Sequence, residues 1–249
     1  MDLTNLIACW EMNDSSGNAT DAHSNALTLT ANNSPGSATG VLGNCRTFTT
    51  ASAMTFTRTH EALLDTGNID FSFTAWVQIN TTSTYHVFIG KEQTGSEEYG
   101  LFYDQAANKF SFEIRGSAYK AVTASTFGAP SINTWYWLYC YHDATNDLIG
   151  ISVNNGTINT TATAGSYPGQ ANNVNATFAI GKRGYTGSEL YLGGKMDQVT
   201  FWKQLVGTTD RATIYNSGAG ASYPWTTGFL PNYMRRSMVG GLNSIGVIQ

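Results

Sequence analysis

Carboxylates, histidines and cysteines are the side chains here that could carry chemistry, and their spacing does not assemble a catalytic centre. Hydrolysis of a glycosidic bond needs two carboxyl groups facing each other across it. Glu97 and Glu98 are adjacent, so on a strand they point to opposite faces, and Glu113 stands alone on what reads as a solvated face. The histidines, His23, His60, His86 and His142, show neither His-x-His nor His-x₃-His spacing, as a zinc site on one element would. No Gly-rich phosphate loop or serine nucleophile elbow occurs. The chain therefore reads as a non-enzyme. Cys9 and Cys140 lie in apolar stretches and read as buried thiols, while a Cys9–Cys45 bridge stays open if those segments pair.

Aromatic rings are the other functional material. Sugar rings stack their C–H faces on Trp and Tyr, and Trp76, Tyr103, Tyr167, Tyr185 and Tyr191 could contribute such platforms. Core or loop-anchoring packing is the competing reading, and it is favoured for Trp76.

The elements that must position these residues are strands. Phe71, Phe73, Ala75, Val77 and Ile79 alternate with Ser72, Thr74, Trp76 and Gln78. Phe110, Phe112 and Ile114 alternate with Ser111, Glu113 and Arg115. Ile149, Ile151 and Val153 do the same before the turn signal Asn154-Asn155-Gly156. The run from Trp135 to Tyr141 is apolar on both faces, as a central strand covered on both sides requires. One helix is expected, Thr209 to Asn216, with Thr208 or Thr209 as its cap, Asp210 in its first turn and Gly218 at its end.

Composition agrees. Only 12% of residues are charged against 41% hydrophobic, so Thr, Asn, Ser and Gly must furnish the turns and wet faces, and these are poor helix formers. A net charge of −4 and a single adjacent basic pair, Arg235-Arg236, argue against nucleic acid. No segment is long and apolar enough to insert in a membrane, and the first residues lack the basic region of a secretory signal.

In this order the motifs resemble the laminin-G-like branch of the concanavalin A-like lectin-glucanase jelly rolls. The resemblance rests on Ala8-Cys9-Trp10-Glu11-Met12-Asn13-Asp14-Ser15-Ser16-Gly17 followed by the loop from Asp21 to Asn25. It rests also on Phe71-Ser72-Phe73-Thr74-Ala75-Trp76-Val77, on Trp135-Tyr136-Trp137-Leu138, and on Gly194-Lys195-Met196-Asp197-Gln198-Val199. The resemblance implies an all-β, antiparallel two-sheet sandwich over residues 1–225 with one short C-terminal helix. It also implies a calcium ion held by Asp21, Asn25 and Asp197, where the loop after the first strand meets the last strand. Glucanases of this fold carry a Glu-x-Asp-x-(x)-Glu run, and this sequence has none.

Residues 226–249 have no counterpart in the resemblance. Phe229, Leu230, Tyr233, Met234, Met238, Leu242, Ile245, Val247 and Ile248 are too many apolar groups for a solvated terminus and too irregular for an amphipathic helix. The expectation is a docking tail that contacts copies of the chain or other virion proteins. The whole then reads as a non-catalytic structural protein of a virion surface, such as a phage capsid decoration or tail protein, made in the cytoplasm without a signal peptide. A cell-surface glycan is compatible with that role, and a stand-alone carbohydrate-binding module is the alternative.

Overall fold

The computed structural model describes residues 1, 3–93, 96–168, 176–183 and 189–225. The tail at 226–249, and Tyr185, lie outside the described residues. In chain order the strands are β1 (Leu6–Trp10), β2 (Thr30–Asn32), β3 (Gly36–Thr39), β4 (Asn44–Phe48), β5 (Thr55–Arg58) and β6 (Phe71–Ile79). There follow β7 (His86–Gln93), β8 (Ser96–Asp104), β9 (Lys109–Arg115), β10 (Tyr119–Thr123), β11 (Tyr136–Asp143) and β12 (Leu148–Val153). The last are β13 (Asn159–Ala162), β14 (Thr177–Ile180), β15 (Lys182–Arg183), β16 (Leu190–Tyr191) and β17 (Gly194–Trp202), and then helix α1 (Thr208–Tyr215).

They form two antiparallel sheets. One runs β13-β12-β11-β6-β17-β4-β3, with β1 also paired to β17; the other runs β10-β9-β8-β7-β14-β5-β2. β15 and β16 make a separate ribbon. The expected alternation is realised: Phe71, Phe73, Ala75, Val77 and Ile79 of β6 face Phe110, Phe112 and Ile114 of β9 across one buried core. Its aromatic rings interlock, Phe73 stacking on Phe201 at 4.7 Å and Phe71 meeting Phe112 edge-on at 6.3 Å. Each such side chain stabilises the fold by about 1.5–3 kcal/mol.

The helix is displaced by one residue from its expected bounds. Gly207 is its N-cap, and Arg211 N donates to Gly207 O. Thr208 and Thr209 do not cap, because both already lie inside the helix, and Thr208 Oγ1 accepts from Arg211 Nη2 at 3.2 Å. The left-handed residue that ends the helix is Asn216 (φ +46), ahead of Gly218. All three cysteines are buried free thiols, so Cys9 and Cys45 are not bridged.

Candidate functional site

A two-sheet sandwich has two outward faces, and the C-terminal part of the chain covers one of them. On the eight-stranded sheet, Trp76, Trp137, Tyr139 and Trp202 form a second apolar layer with Leu6, Cys9, Val206, Ile214 and Trp225. Trp76 stacks on Tyr215 of α1 at 5.8 Å, and Trp202 stacks on Trp225 at 5.8 Å. Trp76 is thus packing, not a sugar platform. Tyr103 is likewise buried, its hydroxyl 2.8 Å from Asn108 Oδ1.

The outward face of the seven-stranded sheet is different in kind. The register sets Thr57, Ala179, Gly90, Gly100, Glu113 and Ala121 in one row across it. Small residues there make room. A Cβ on Gly90 would lie 2.8 Å from Lys182 O, and one on Gly100 would lie 2.9 Å from Glu113 Oε1. The β15–β16 ribbon crosses this floor, and Arg183 places its guanidinium 4.8 Å from the Phe102 ring while pairing with Glu113 Oε1. The other oxygen, Glu113 Oε2, accepts from Tyr119 Oη at 2.6 Å. Glu113 is therefore not solvated, as its strand position suggested, but 2% exposed, because Arg183 arrives from seventy residues downstream and closes over it. Tyr119 itself is 47% exposed, with Arg115 over its ring at 5.8 Å. Tyr85 flanks Phe102 at 6.5 Å, and the partly exposed Tyr191 carries Lys182 Nζ 6.0 Å above its ring.

This arrangement holds an exposed aromatic ring by a hydrogen bond to a buried carboxylate that is itself pinned by an arginine. Preorganised rings of this sort bind flat apolar faces at little entropic cost. Phe102, Tyr119 and Arg183 were not singled out by sequence. The one signal for them is the period-2 pattern of β9, which puts Ser111, Glu113 and Arg115 on the wet side.

The loop after β1 and the bulge in β17 hold the expected metal ligands. Asp21 Oδ1 accepts from Cys9 N and His23 N, both at 2.9 Å, and Oδ2 accepts from Leu27 N at 2.8 Å. Asn25 Nδ2 donates to Ile7 O at 2.9 Å, which ties the loop to β1. Asp197 is fully buried, and its Oδ2 accepts from Val41 N (2.8 Å) and Leu42 N (2.9 Å). Its Oδ1 has no hydrogen-bond partner among the described residues, nor has the neighbouring Gln198 Oε1. The register of β17 against β6 slips between Asp197 and Thr200, and Gln198 takes φ +37. Burial pushes the Asp197 carboxyl up to about 6, with Glu11 adding to the rise against three backbone N–H groups that oppose it. An orphaned buried carboxylate oxygen fits a hard cation. Asp21 fits it less well, since backbone donors occupy both its oxygens. Among the described residues, no three His, Cys, Asp or Glu side chains converge as a metal cluster.

Two antiparallel sheets in this order, with one short helix, define a lectin-like jelly roll. The model of the concanavalin A-like lectin/glucanases superfamily matches residues 48–210, more than half of the chain, and the chain belongs to that family. No curated protein sequence matches it. Among solved structures it is similar to domain 4 of AbnA, a GH43 extracellular arabinanase from Geobacillus stearothermophilus, in complex with arabinotriose. There the TM-score is 0.63 at 15% identity, over 87% of this chain and 98% of that one. It is also similar to the binding domain of Paraclostridial Mosquitocidal Protein 1 (TM-score 0.66, 10% identity, 86% of this chain, 52% of that one). A third is the Trypanosoma rangeli sialidase in complex with the inhibitor DANA (0.61, 12%, 86% and 33%). The chain thus spans about half of the mosquitocidal binding domain and a third of the sialidase, and at these identities the likeness is one of fold.

Proposed function

We propose that this protein is a non-catalytic recognition module whose ligand is a carbohydrate, bound on the outward face of the seven-stranded sheet around Tyr119, Phe102 and Arg183. The observation that carries the reading is the contrast between the two faces. One is sealed by an apolar layer, and the other presents an exposed ring held by Glu113 and Arg183 over a floor of small residues. The arabinotriose complex of a similar domain supports a sugar as ligand. The Glu113 carboxylate spends its oxygens on Arg183 and Tyr119, which suits positioning rather than proton transfer. Screening the protein on a glycan array, then titrating the best ligand, tests this. Tyr119→Ala should weaken binding about tenfold, the loss of roughly 1.4 kcal/mol of stacking and contact, in a protein that stays folded at the assay temperature although Glu113 Oε2 loses its donor. Absence of any glycan ligand, or unaltered affinity in that variant, overturns the proposal.

The virion reading rests on the apolar composition of residues 226–249. Before them the chain is anchored at Trp225, which is buried, with Nε1 donating to Ala221 O at 2.7 Å. Truncation after Trp225 should therefore leave a folded, monomeric sandwich that no longer joins copies of itself or a particle. Sedimentation of the full and truncated chains checks this, and either unfolding of the truncated chain or unchanged assembly contradicts it.

Calcium is the third part. Asp197 Oδ1 would hold the ion with oxygens from the Asp21–Asn25 loop, and its chemistry there would be structural, fastening that loop to β17.

A further inference from the structure

Away from both faces, Lys91 of β7 is a fully buried lysine in contact with two carboxylates, Asp65 Oδ1 and Glu98 Oε2. All three are held in place. The loop bearing Asp65 is pinned by Tyr99 Oη donating to Leu64 O at 3.1 Å, and Asp65 Oδ2 meets His60 Nε2 at 3.0 Å. Glu98 is 2% exposed, and its Oε1 accepts from both Thr66 N (2.9 Å) and Thr66 Oγ1 (2.7 Å), which leaves Oε2 aimed at the lysine. Asp65 keeps 21% of its side chain exposed, so a small molecule released there has a way out.

An amine, a carboxyl group and a second carboxylate touching the amine are the reactants and the proton carrier for amide formation. Fixing them in contact removes the entropic barrier that makes this condensation slow between free side chains. We propose that Lys91 and Asp65 are joined by an intramolecular amide bond, with Glu98 carrying the protons. Glu98 Oε2 takes a proton from the Lys91 ammonium and delivers it to the Asp65 carboxylate. The neutral amine then attacks Asp65 Cγ, forming the N–C bond. A second proton leaves the nitrogen for Glu98 and passes to the departing oxygen, and the C–O bond breaks. Ammonium and carboxylate become amide and one water, Glu98 is regenerated, and no oxidant, metal or co-reactant takes part. The bond would tie the loop before β6 to β7 and close a covalent ring through β6 and the crossover that carries the chain from one sheet to the other.

The full chain, purified and denatured, should weigh one water less than its sequence mass. A digest should yield the Lys91 peptide joined to the Asp65 peptide, which separates this loss from dehydration elsewhere. Asp65→Asn should condense with loss of ammonia instead, so its product should have the same mass as the wild-type product. Lys91→Arg keeps the cation but should show its full sequence mass, and so should Glu98→Gln. Wild-type protein at full sequence mass overturns the proposal, whatever the variants do. A cross-link from Lys91 to any residue other than Asp65, or undiminished condensation in Glu98→Gln, overturns the assignment of roles.

Discussion

Replacing Arg46 with methionine should lower the unfolding free energy by about 3–5 kcal/mol. Arg46 is fully buried in β4, and its fork is spent on backbone carbonyls. Nε donates to Gly36 O at 3.0 Å, and Nη2 donates to Gly17 O at 3.0 Å and Pro35 O at 2.7 Å. The guanidinium also lies 4.7 Å from the Phe56 ring. Methionine retains the apolar stem but takes the guanidinium donor from three carbonyls, each loss worth about 1–3 kcal/mol where neither water nor another donor replaces it. Two terms soften the loss: Gly17 is exposed and can rehydrate, and Nη1, buried without a partner, is removed as well. Arg46→Lys should recover less than half, since an ammonium on a single carbon cannot reach three carbonyls as a planar fork does. Urea denaturation at constant slope measures both variants. A cost below about 1 kcal/mol for Arg46→Met would show that water or relaxation replaces the fork.

Arg46 also marks the limit of what the sequence reveals. Alternation in 71–79, 109–115 and 149–153 made the strands and the main core legible, because successive side chains of a strand point to opposite faces and those on the inner face are apolar. The two-faced run at 135–141 foretold β11, which puts Leu138 and Cys140 into one layer and Trp137 and Tyr139 into the other. Asn154 and Asn155 both take φ +52, as their turn signal demanded. Long-range polar closures were not legible. Arg183 meets Glu113, Lys91 meets Asp65, and Arg46 gathers three carbonyls, yet none of these partners shares a local pattern with the other. Glu113 was misread for that reason alone. Its alternation correctly gave the outward face, but whether an outward face is wet depends on what a distant segment lays over it.

The same limit explains the aromatic residues. Trp76 and Tyr119 both lie on outward strand faces, so period-2 reasoning treats them alike. α1 and the stretch to Trp225 bury the first, while nothing among the described residues covers the second to the same degree. The helix that decides this is short and carries little intrinsic signal. Its apolar contribution is Ile214, with Tyr215 stacking beside it against the tryptophans.

Asp197→Asn should stabilise the metal-free protein at neutral pH and abolish its response to calcium. The wild-type carboxyl is raised to about 6 in the fold from its ordinary 3.8. A carboxyl whose folded value is raised binds its proton more tightly in the native state, so its contribution is fully present below pH 4 and is lost as pH climbs through about 6. Two units correspond to about 2–3 kcal/mol. In chelator, the stability of wild type relative to Asp197→Asn should therefore fall between pH 4 and pH 7, and this difference cancels the other titrating groups the two proteins share. The asparagine Oδ1 can still accept from Val41 N and Leu42 N, and its Nδ2 carries no charge to desolvate where the buried carboxylate oxygen lay. Calcium reverses the order. A cation on Asp197 Oδ1 stabilises the ionised carboxylate and the native state together, by about 2.7 kcal/mol at a hundredfold excess over its dissociation constant. Wild type should then gain stability at pH 7, and Asp197→Asn should not. Urea midpoints in chelator and in saturating calcium at pH 4, 6 and 7 separate the outcomes. If calcium moves neither protein while the pH trend in chelator persists, Asp197 is a buried acid that only fastens the Val41–Leu42 turn, and the ion has no place there. If the pH trend is absent too, the burial of this carboxyl is not what sets its proton affinity.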